Sequence, residues 1–271
     1  MTVSVLGFGW LGGPLGVHLL EKGIKVKAST TKEAKLRIID EEGAEPYLIR
    51  LGPRDIKGDI ASFLESDVLI LNFPPNGNSE DVHDIFPATV RLILDAVLKS
   101  PLRKIIFISS TSVYGDQQGA SVSEVSPLHA NRDTGQALVE VEKMLMGEPD
   151  LKVTILRMGG LVGGHRQPYL FMAGRVGLTG GEMPVNLVHQ EDAIRAVTAV
   201  IEHDNWGETY NVVADKHPSR REYYTYAATQ NNMPRPEFLP DVIPSGKSVS
   251  NKKIKEKFNF QFTYSDPFLM L

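Results

Sequence analysis

The sequence predicts an α/β fold: a doubly wound parallel sheet with a small capping region toward the C-terminus. Three observations predict it. An apolar run, Val3, Val5 and Leu6, breaks into Gly7-Phe8-Gly9-Trp10-Leu11-Gly12. Short apolar runs then alternate with stretches of helical length and periodicity. Two of those runs, Asp67 to Phe73 and Arg103 to Ser109, are apolar almost throughout, as strands covered on both faces are.

The elements follow in order. After the first strand, Pro14 suits a helical first turn and Leu15, Leu19 and Leu20 give an apolar stripe that Lys22-Gly23 stops. A second strand spans Ile24 to Thr30, a charged helix Lys32 to about Glu42, and a third strand lies near Tyr47 to Leu51. The strand Asp67 to Phe73 closes on Pro74-Pro75, and a helix is expected from about Pro87 to Lys99. The strand Arg103 to Ser109 precedes a helix from Arg132 to Met146, with Leu138, Val141 and Leu145 on one side. A sixth strand runs from Leu151 to Arg157.

Beyond Arg157 glycines punctuate a stretch with little periodicity, which reads as loops around a site. A helix from Glu191 to His203 and a strand from Glu208 to Val213 return to the sheet. Helices near Arg221 to Gln230 and Asn251 to Phe258 complete the chain. Residues 1–158 and 184–214 are therefore assigned to a nucleotide-binding domain, and 159–183 with 215–271 to an interleaved capping region.

Composition narrows the function. The 271 residues carry 29 Lys and Arg against 33 Asp and Glu, a formal net charge of −4, which argues against nucleic acid as a partner. No run approaches the roughly 20 apolar residues of a membrane span. The absence of cysteine excludes disulfides, thiolate metal sites and a thiol nucleophile. No metal is expected. Met1 to Leu6 carries no basic stretch ahead of an apolar one, and a cytoplasmic setting is expected.

The glycine loop has the chemistry of a dinucleotide site. Gly7 permits a tight turn, Gly9 lets the backbone approach a pyrophosphate, and Gly12 lets helix and strand pack closely, with Trp10 and Leu11 between them. At the end of the second strand, Ser29-Thr30-Thr31-Lys32 offers hydroxyls and a cation where NAD-binding loops offer a carboxylate. NADP is therefore favoured, with NAD also admissible. Thr30 or Thr31 as a helix N-cap is a compatible plainer role. Asn72, Phe73 and Pro74 end the next strand inward and are also expected to meet the cofactor.

Ser109-Ser110-Thr111-Ser112-Val113-Tyr114-Gly115 places hydroxyls at the carboxyl edge where such sheets bind ligands. With the glycine loop, this segment resembles the extended short-chain dehydrogenase/reductase superfamily, which includes nucleotide-sugar epimerases and dehydratases and has a Rossmann fold. Leu156-Arg157, Val188 to Ala193 and Tyr210-Asn211-Val212 resemble its later landmarks. Gly160-Leu161-Val162-Gly163, Val185 to His189 and Tyr264-Ser265-Asp266-Pro267 are similar to the YeeZ group of atypical members. The resemblance implies that Ser110 hydrogen-bonds a substrate oxygen, and that Ser109, Gln136 and Leu161 lie along the cofactor. It also implies dimerisation through the helices at about Pro87 to Lys99 and Arg132 to Met146.

Two departures qualify it. The superfamily's Tyr-x-x-x-Lys falls on Arg132 and Gln136 when the helix is anchored on Glu140. A guanidinium stays charged and a neutral amide cannot lower a phenol pKa. No tyrosine lies between Tyr114 and Tyr169. Gly160 stands where sugar-nucleotide epimerases usually carry an Asn. Any turnover must use another acid or base, and Tyr114, His165 and His189 are candidates beside Ser110. Ser112, His165, Arg166 and His189 are candidate contacts to a small-molecule substrate. Each has a plainer role: Tyr114 as a packed aromatic, His189 as a helix-orienting residue, His165-Arg166 as a solvated loop. The expected function is an NADP-dependent oxidoreductase or epimerase/dehydratase with a non-standard acid/base. The alternative is a dinucleotide-binding sensor without turnover. A hydroxyacid dehydrogenase, prompted by the glycine loop and Pro14, does not fit the late strands.

Overall fold

The computed structural model describes residues 1–75, 81–240 and 243–271. Strand β1 (Thr2–Leu6) leads into α1 (Gly12–Glu21), which buries Leu15 and Leu19 and stops where the amides of Lys22 and Gly23 fold back on the carbonyls of Leu19 and Leu20. Gly23 takes φ +75°, a conformation that favours glycine. β2 (Lys25–Thr30) is followed by a 3-10 turn over Glu33–Lys35, then α2 (Leu36–Glu41) and β3 (Glu45–Leu48). Sequence spacing extends that third strand to Leu51. Instead Arg50–Leu51 forms β4, paired antiparallel with β5 (Ile56–Lys57), and α3 (Ile60–Phe63) follows with Asp59 as its cap.

β6 (Val68–Leu71) is buried along its whole length. Helix α4 (Val82–Leu98) begins ahead of its predicted start at Pro87, which lies inside it. The ring removes the bond that the carbonyl of exposed His83 would accept, and burial of Val82 and Phe86 holds the turn in front of it. β7 (Lys104–Ser110), the short β8 (Ser121–Val122), α5 (Asp133–Met146) and β9 (Lys152–Met158) come next. The glycine-rich stretch is not all loop: it holds β10 (Gly160–Val162), α6 (Tyr169–Met172) and β11 (Leu187–His189). Then follow α7 (Gln190–Glu202), β12 (Thr209–Val212), α8 (Arg220–Gln230), β13 (Ser248–Val249) and α9 (Lys252–Phe258).

The central sheet is parallel, in the order β12-β9-β7-β6-β1-β2-β3. Its order reverses between β1 and β6, the switch point at which open α/β sheets bind ligands. Ser4, a polar residue inside β1, is satisfied by the Phe63 carbonyl at 2.6 Å and the Ser66 hydroxyl at 2.9 Å. No helix among the described residues is long and apolar enough to cross a membrane.

The chain forms two compact units, one from Met1–Ser109, Arg132–Leu156 and Val200–Thr209, the other from Ser110–Asn131, Arg157–Ala199 and Tyr210–Leu271. The hydroxyl turn and most of α7 thus group with the C-terminal segments. Bonds within the second unit account for this. Buried Asp192 on α7 accepts from the amides of Thr263 and Tyr264, and Lys247 Nζ donates to the Gly115 carbonyl at 2.7 Å. Two short parallel pairs, β10 with β11 and β8 with β13, belong to this unit. One of its cores packs Val162, Val185 and Leu187 on Tyr223, Tyr224 and Met270.

Candidate functional site

In the N-terminal unit, the loop after β1 is braced from two strands. The Gly7 amide donates to Ser29 Oγ and the Phe8 amide to the Ser29 carbonyl, both at 2.9 Å. From the end of β6, Asn72 donates through Nδ2 to the Gly7 carbonyl at 3.0 Å. A Cβ on Gly7, where φ is +110°, would overlap the Asn72 carbonyl, and one on Gly12 would overlap the Gly7 carbonyl. Those two glycines are fixed by the protein's own packing. Gly9 is different, because a Cβ there would meet nothing within 4 Å. Its small size serves the open space in front of the loop, as a close phosphate approach requires. Helix α1 starts with no side-chain cap and no acidic residue in its first turn, so its positive end is left for an anion.

That space is a groove of about 410 Å³ lined by Gly7, Phe8, Gly9, Ser29, Thr30, Thr31, Lys32, Asn72, Phe73 and Pro74, all but Phe8 named from sequence. Lys35, Ile49 and Leu51 join them. The latter two follow β3, and its parallel register brings them to the same edge (Thr30↔Leu48). No described residue lining the groove is acidic. Ser29 is buried and its hydroxyl is engaged with the loop, so the outward groups of that strand end are Thr31 and Lys32. Thr30 Oγ1 accepts from the Lys32 amide at 3.2 Å. Trp10 is half-buried and Leu11 is buried at the N-terminus of α1.

Elsewhere in this unit Ser109 Oγ donates to Glu142 Oε1 at 2.6 Å, both buried. Glu140 is exposed. Gln136 is exposed on the same helix.

In the second unit Ser110 Oγ accepts from the Ser112 amide at 3.1 Å, which opens a 3-10 turn over Thr111–Tyr114, with Ser112 half-buried. Tyr114, an acid/base candidate from sequence, lies enclosed. Its side chain is 0% exposed, its hydroxyl donates to Asn211 Oδ1 and accepts from Arg157 Nη1, each at 2.8 Å, and the Arg157 guanidinium lies over its ring. Burial pushes the phenol's pKa up, with the Arg157 charge opposing. It is a packed aromatic in a buried polar network.

Leu161 lies half-buried on β10. His165 and Arg166 sit exposed at the tip of a bend closed by paired Gly163 and Arg166 backbones. His189 Nδ1 accepts from the Glu191 amide at 3.3 Å, which assigns the ring proton to Nε2, and the ring stacks on Tyr264 at 3.7 Å. Burial lowers the His189 pKa against the pull of Glu191 and Asp192. Helix orientation is therefore a role this histidine does fill.

The model of the NAD dependent epimerase/dehydratase family matches residues 5–213. The chain is also 34% identical over 271 residues to Protein YeeZ of Escherichia coli K12, covering 99% of this chain and 98% of that protein. The chain belongs to the NAD dependent epimerase/dehydratase family. The family fold recurs in solved structures of low identity. One is a UDP-glucose-4-epimerase from Stenotrophomonas maltophila with bound NAD, at TM-score 0.80 and 18% identity, covering 100% of this chain and 95% of that one. Another is a short-chain dehydrogenase/reductase superfamily protein from Agrobacterium tumefaciens with bound NAD, at TM-score 0.77 and 16% identity, with 100% and 95% covered. The groove fits the family's dinucleotide: loop amides and the positive end of α1 toward a pyrophosphate, and the end of β2 toward the adenosine ribose.

Proposed function

We propose that this epimerase/dehydratase family member is an NADP-dependent oxidoreductase or epimerase/dehydratase acting on a small substrate. The observation that carries the cofactor choice is the end of β2. Thr31, Lys32 and Lys35 line the groove there, and no described lining residue is acidic. Hydroxyls and ammonium groups favour a 2′-phosphate that a carboxylate would repel. Bound there, the dinucleotide supplies hydride transfer. Ser110 is the hydroxyl that polarises the substrate oxygen. Ser112, His165, Arg166 and His189 are the proposed substrate contacts, and the acid/base is not the Tyr-Lys pair of typical relatives.

A second reading is a dinucleotide sensor without turnover. It is favoured by the start of α5, where Arg132 and Gln136 stand in place of the Tyr-Lys pair, and by the enclosure of Tyr114.

Calorimetric titration of the purified protein tests the cofactor, with NADPH and NADP expected to bind more tightly than NADH and NAD. Equal affinities would count against the 2′-phosphate reading. Oxidation of NADPH against a panel of carbonyl compounds and nucleotide sugars then separates enzyme from sensor. Any activity found should fall sharply in Ser110→Ala, and activity that survives removes Ser110 from the reaction.

A further inference from the structure

Another cavity, of about 490 Å³, lies within the second unit and shares no lining residue with the dinucleotide groove. Its walls follow from one strand pairing. β13 runs parallel to β8, with Ser248 beside Ser121 and Val249 beside Val122, and the Ser250 amide donates to the Val122 carbonyl at 2.8 Å. Ser123 and Ser250, the next residue on each strand, form one wall. Helix α9 begins two residues later and supplies the other, its rotation fixed by burial of Ile254 and Phe258. Lys252 with Glu256 and Lys253 with Lys257 then stand one turn apart, and all four line the cavity.

Cations gather here against the sign of the whole chain. The protein carries a formal net charge of −4, yet α9 reads Lys-Lys-Ile-Lys-Glu-Lys-Phe. Lys255 goes instead to Asp215, Nζ to Oδ1 at 2.8 Å, and the other three lysines remain at the cavity. The two carboxylates on its walls offset them only in part. Glu124 is drawn off, since its Oε1 accepts from the Asn211 amide at 2.8 Å. Glu256 meets Lys252 at 3.5 Å with side chains 66% and 76% exposed, a screened pair that parts at little cost. Lysines of a solvated helix point outward from a convex surface. These close a concavity that also offers two hydroxyls.

We infer that this cavity binds the phosphate group of a small phosphorylated molecule. Ammonium groups hold phosphate as point charges, and the Ser123 and Ser250 hydroxyls add donors to its oxygens. The volume suits a ligand of small-metabolite size. Lys253 is half-buried, with Nζ 5.0 Å from the centre of the Tyr210 ring, and marks where the phosphate sits. When it arrives, the Lys252–Glu256 pair opens, exposed Lys252 and Lys257 turn their ammonium groups inward, and Glu256 moves into solvent.

Amide chemical shifts of the 15N-labelled chain, at constant ionic strength, read the site residue by residue. Glucose 6-phosphate should shift residues 123–124 and 250–257 saturably, with a Kd of about 1 mM or below, and glucose should not. Combining Lys252→Gln with Lys257→Gln should weaken glucose 6-phosphate at least about tenfold and leave NADPH affinity unchanged. Glu256→Gln removes a competing carboxylate and should tighten it about two- to threefold. Thermal melts confirm that the variants, all at exposed positions, fold. If sodium chloride at equal ionic strength reproduces the shifts, α9 is only a solvated basic helix and the site is wrong. Affinity that survives the double substitution overturns it equally. Tighter binding of a phosphoserine peptide or a single-stranded oligonucleotide than of glucose 6-phosphate overturns the assignment to a small molecule.

Discussion

The Gly7 amide points into the hydroxyl of Ser29, 22 residues later in the chain, at 2.9 Å. The strand end proposed to meet the cofactor ribose therefore also sets the shape of the glycine loop. Ser29→Ala removes the acceptor and leaves a half-buried amide without its partner. A loss of about 1 to 3 kcal/mol is expected, read as a lowered denaturant midpoint, together with weaker binding of any dinucleotide. Unchanged stability and affinity would show that the brace is dispensable.

The three loop glycines should behave differently. Gly9→Asp puts a carboxylate into open space, so the chain should fold and lose measurable cofactor binding. Gly7→Ala forces a Cβ onto the Asn72 carbonyl at a φ of +110°, so it should destabilise the fold itself. Thermal melts set beside calorimetry separate the two outcomes. Unaltered binding by a folded Gly9→Asp variant would place the phosphate elsewhere.

Tyr114→Phe leaves Asn211 Oδ1 and Arg157 without the phenol between them. A cost of about 1 to 3 kcal/mol is expected, and the pH profile of any turnover should keep its shape. A shifted profile would return Tyr114 to the reaction as a proton carrier.

Acid should unfold the protein partly through two histidines. Burial lowers the pKa of His189, beside Glu191 and Asp192, and of His217, which contacts the Val185 carbonyl at 3.2 Å and feels Asp215. With folded values below the ordinary 6.5, the unfolded chain takes up these protons first as pH falls. Their contribution is complete above about pH 6.5 and declines below it until the folded values are passed. Melting temperatures measured from pH 8 to about 5 should fall, and His217→Gln should flatten the decline. A wild-type curve that is level across this window would contradict the assignment.

The glycine loop, the succession of the main strands along the chain and most of the residues around the groove were legible because they rest on local signals. Helix periodicity, apolar strands and turn glycines are each set by neighbours in the sequence. Ile49, Leu51 and Lys35 were harder to find. Ile49 and Leu51 reach the groove through the register of β3 on β2, a non-local pairing that no local pattern contains. Lys35 stands three residues beyond Lys32, a helical spacing that would have found it. Tyr114 turned on partners at Arg157 and Asn211, distant in sequence, which no local pattern contains.

Strand order also bears on synthesis. Five of the seven sheet strands, β1, β2, β3, β6 and β7, are complete by Ser110, while β9 begins at Lys152 and β12 at Thr209. A chain growing from its N-terminus presents β7 as an unpaired edge until residues 152–158 emerge. That edge, Ile105-Ile106-Phe107-Ile108, is among the most apolar segments of the protein. Nascent chains stalled between Ser110 and Met158 are thus the species most exposed to edge-to-edge aggregation.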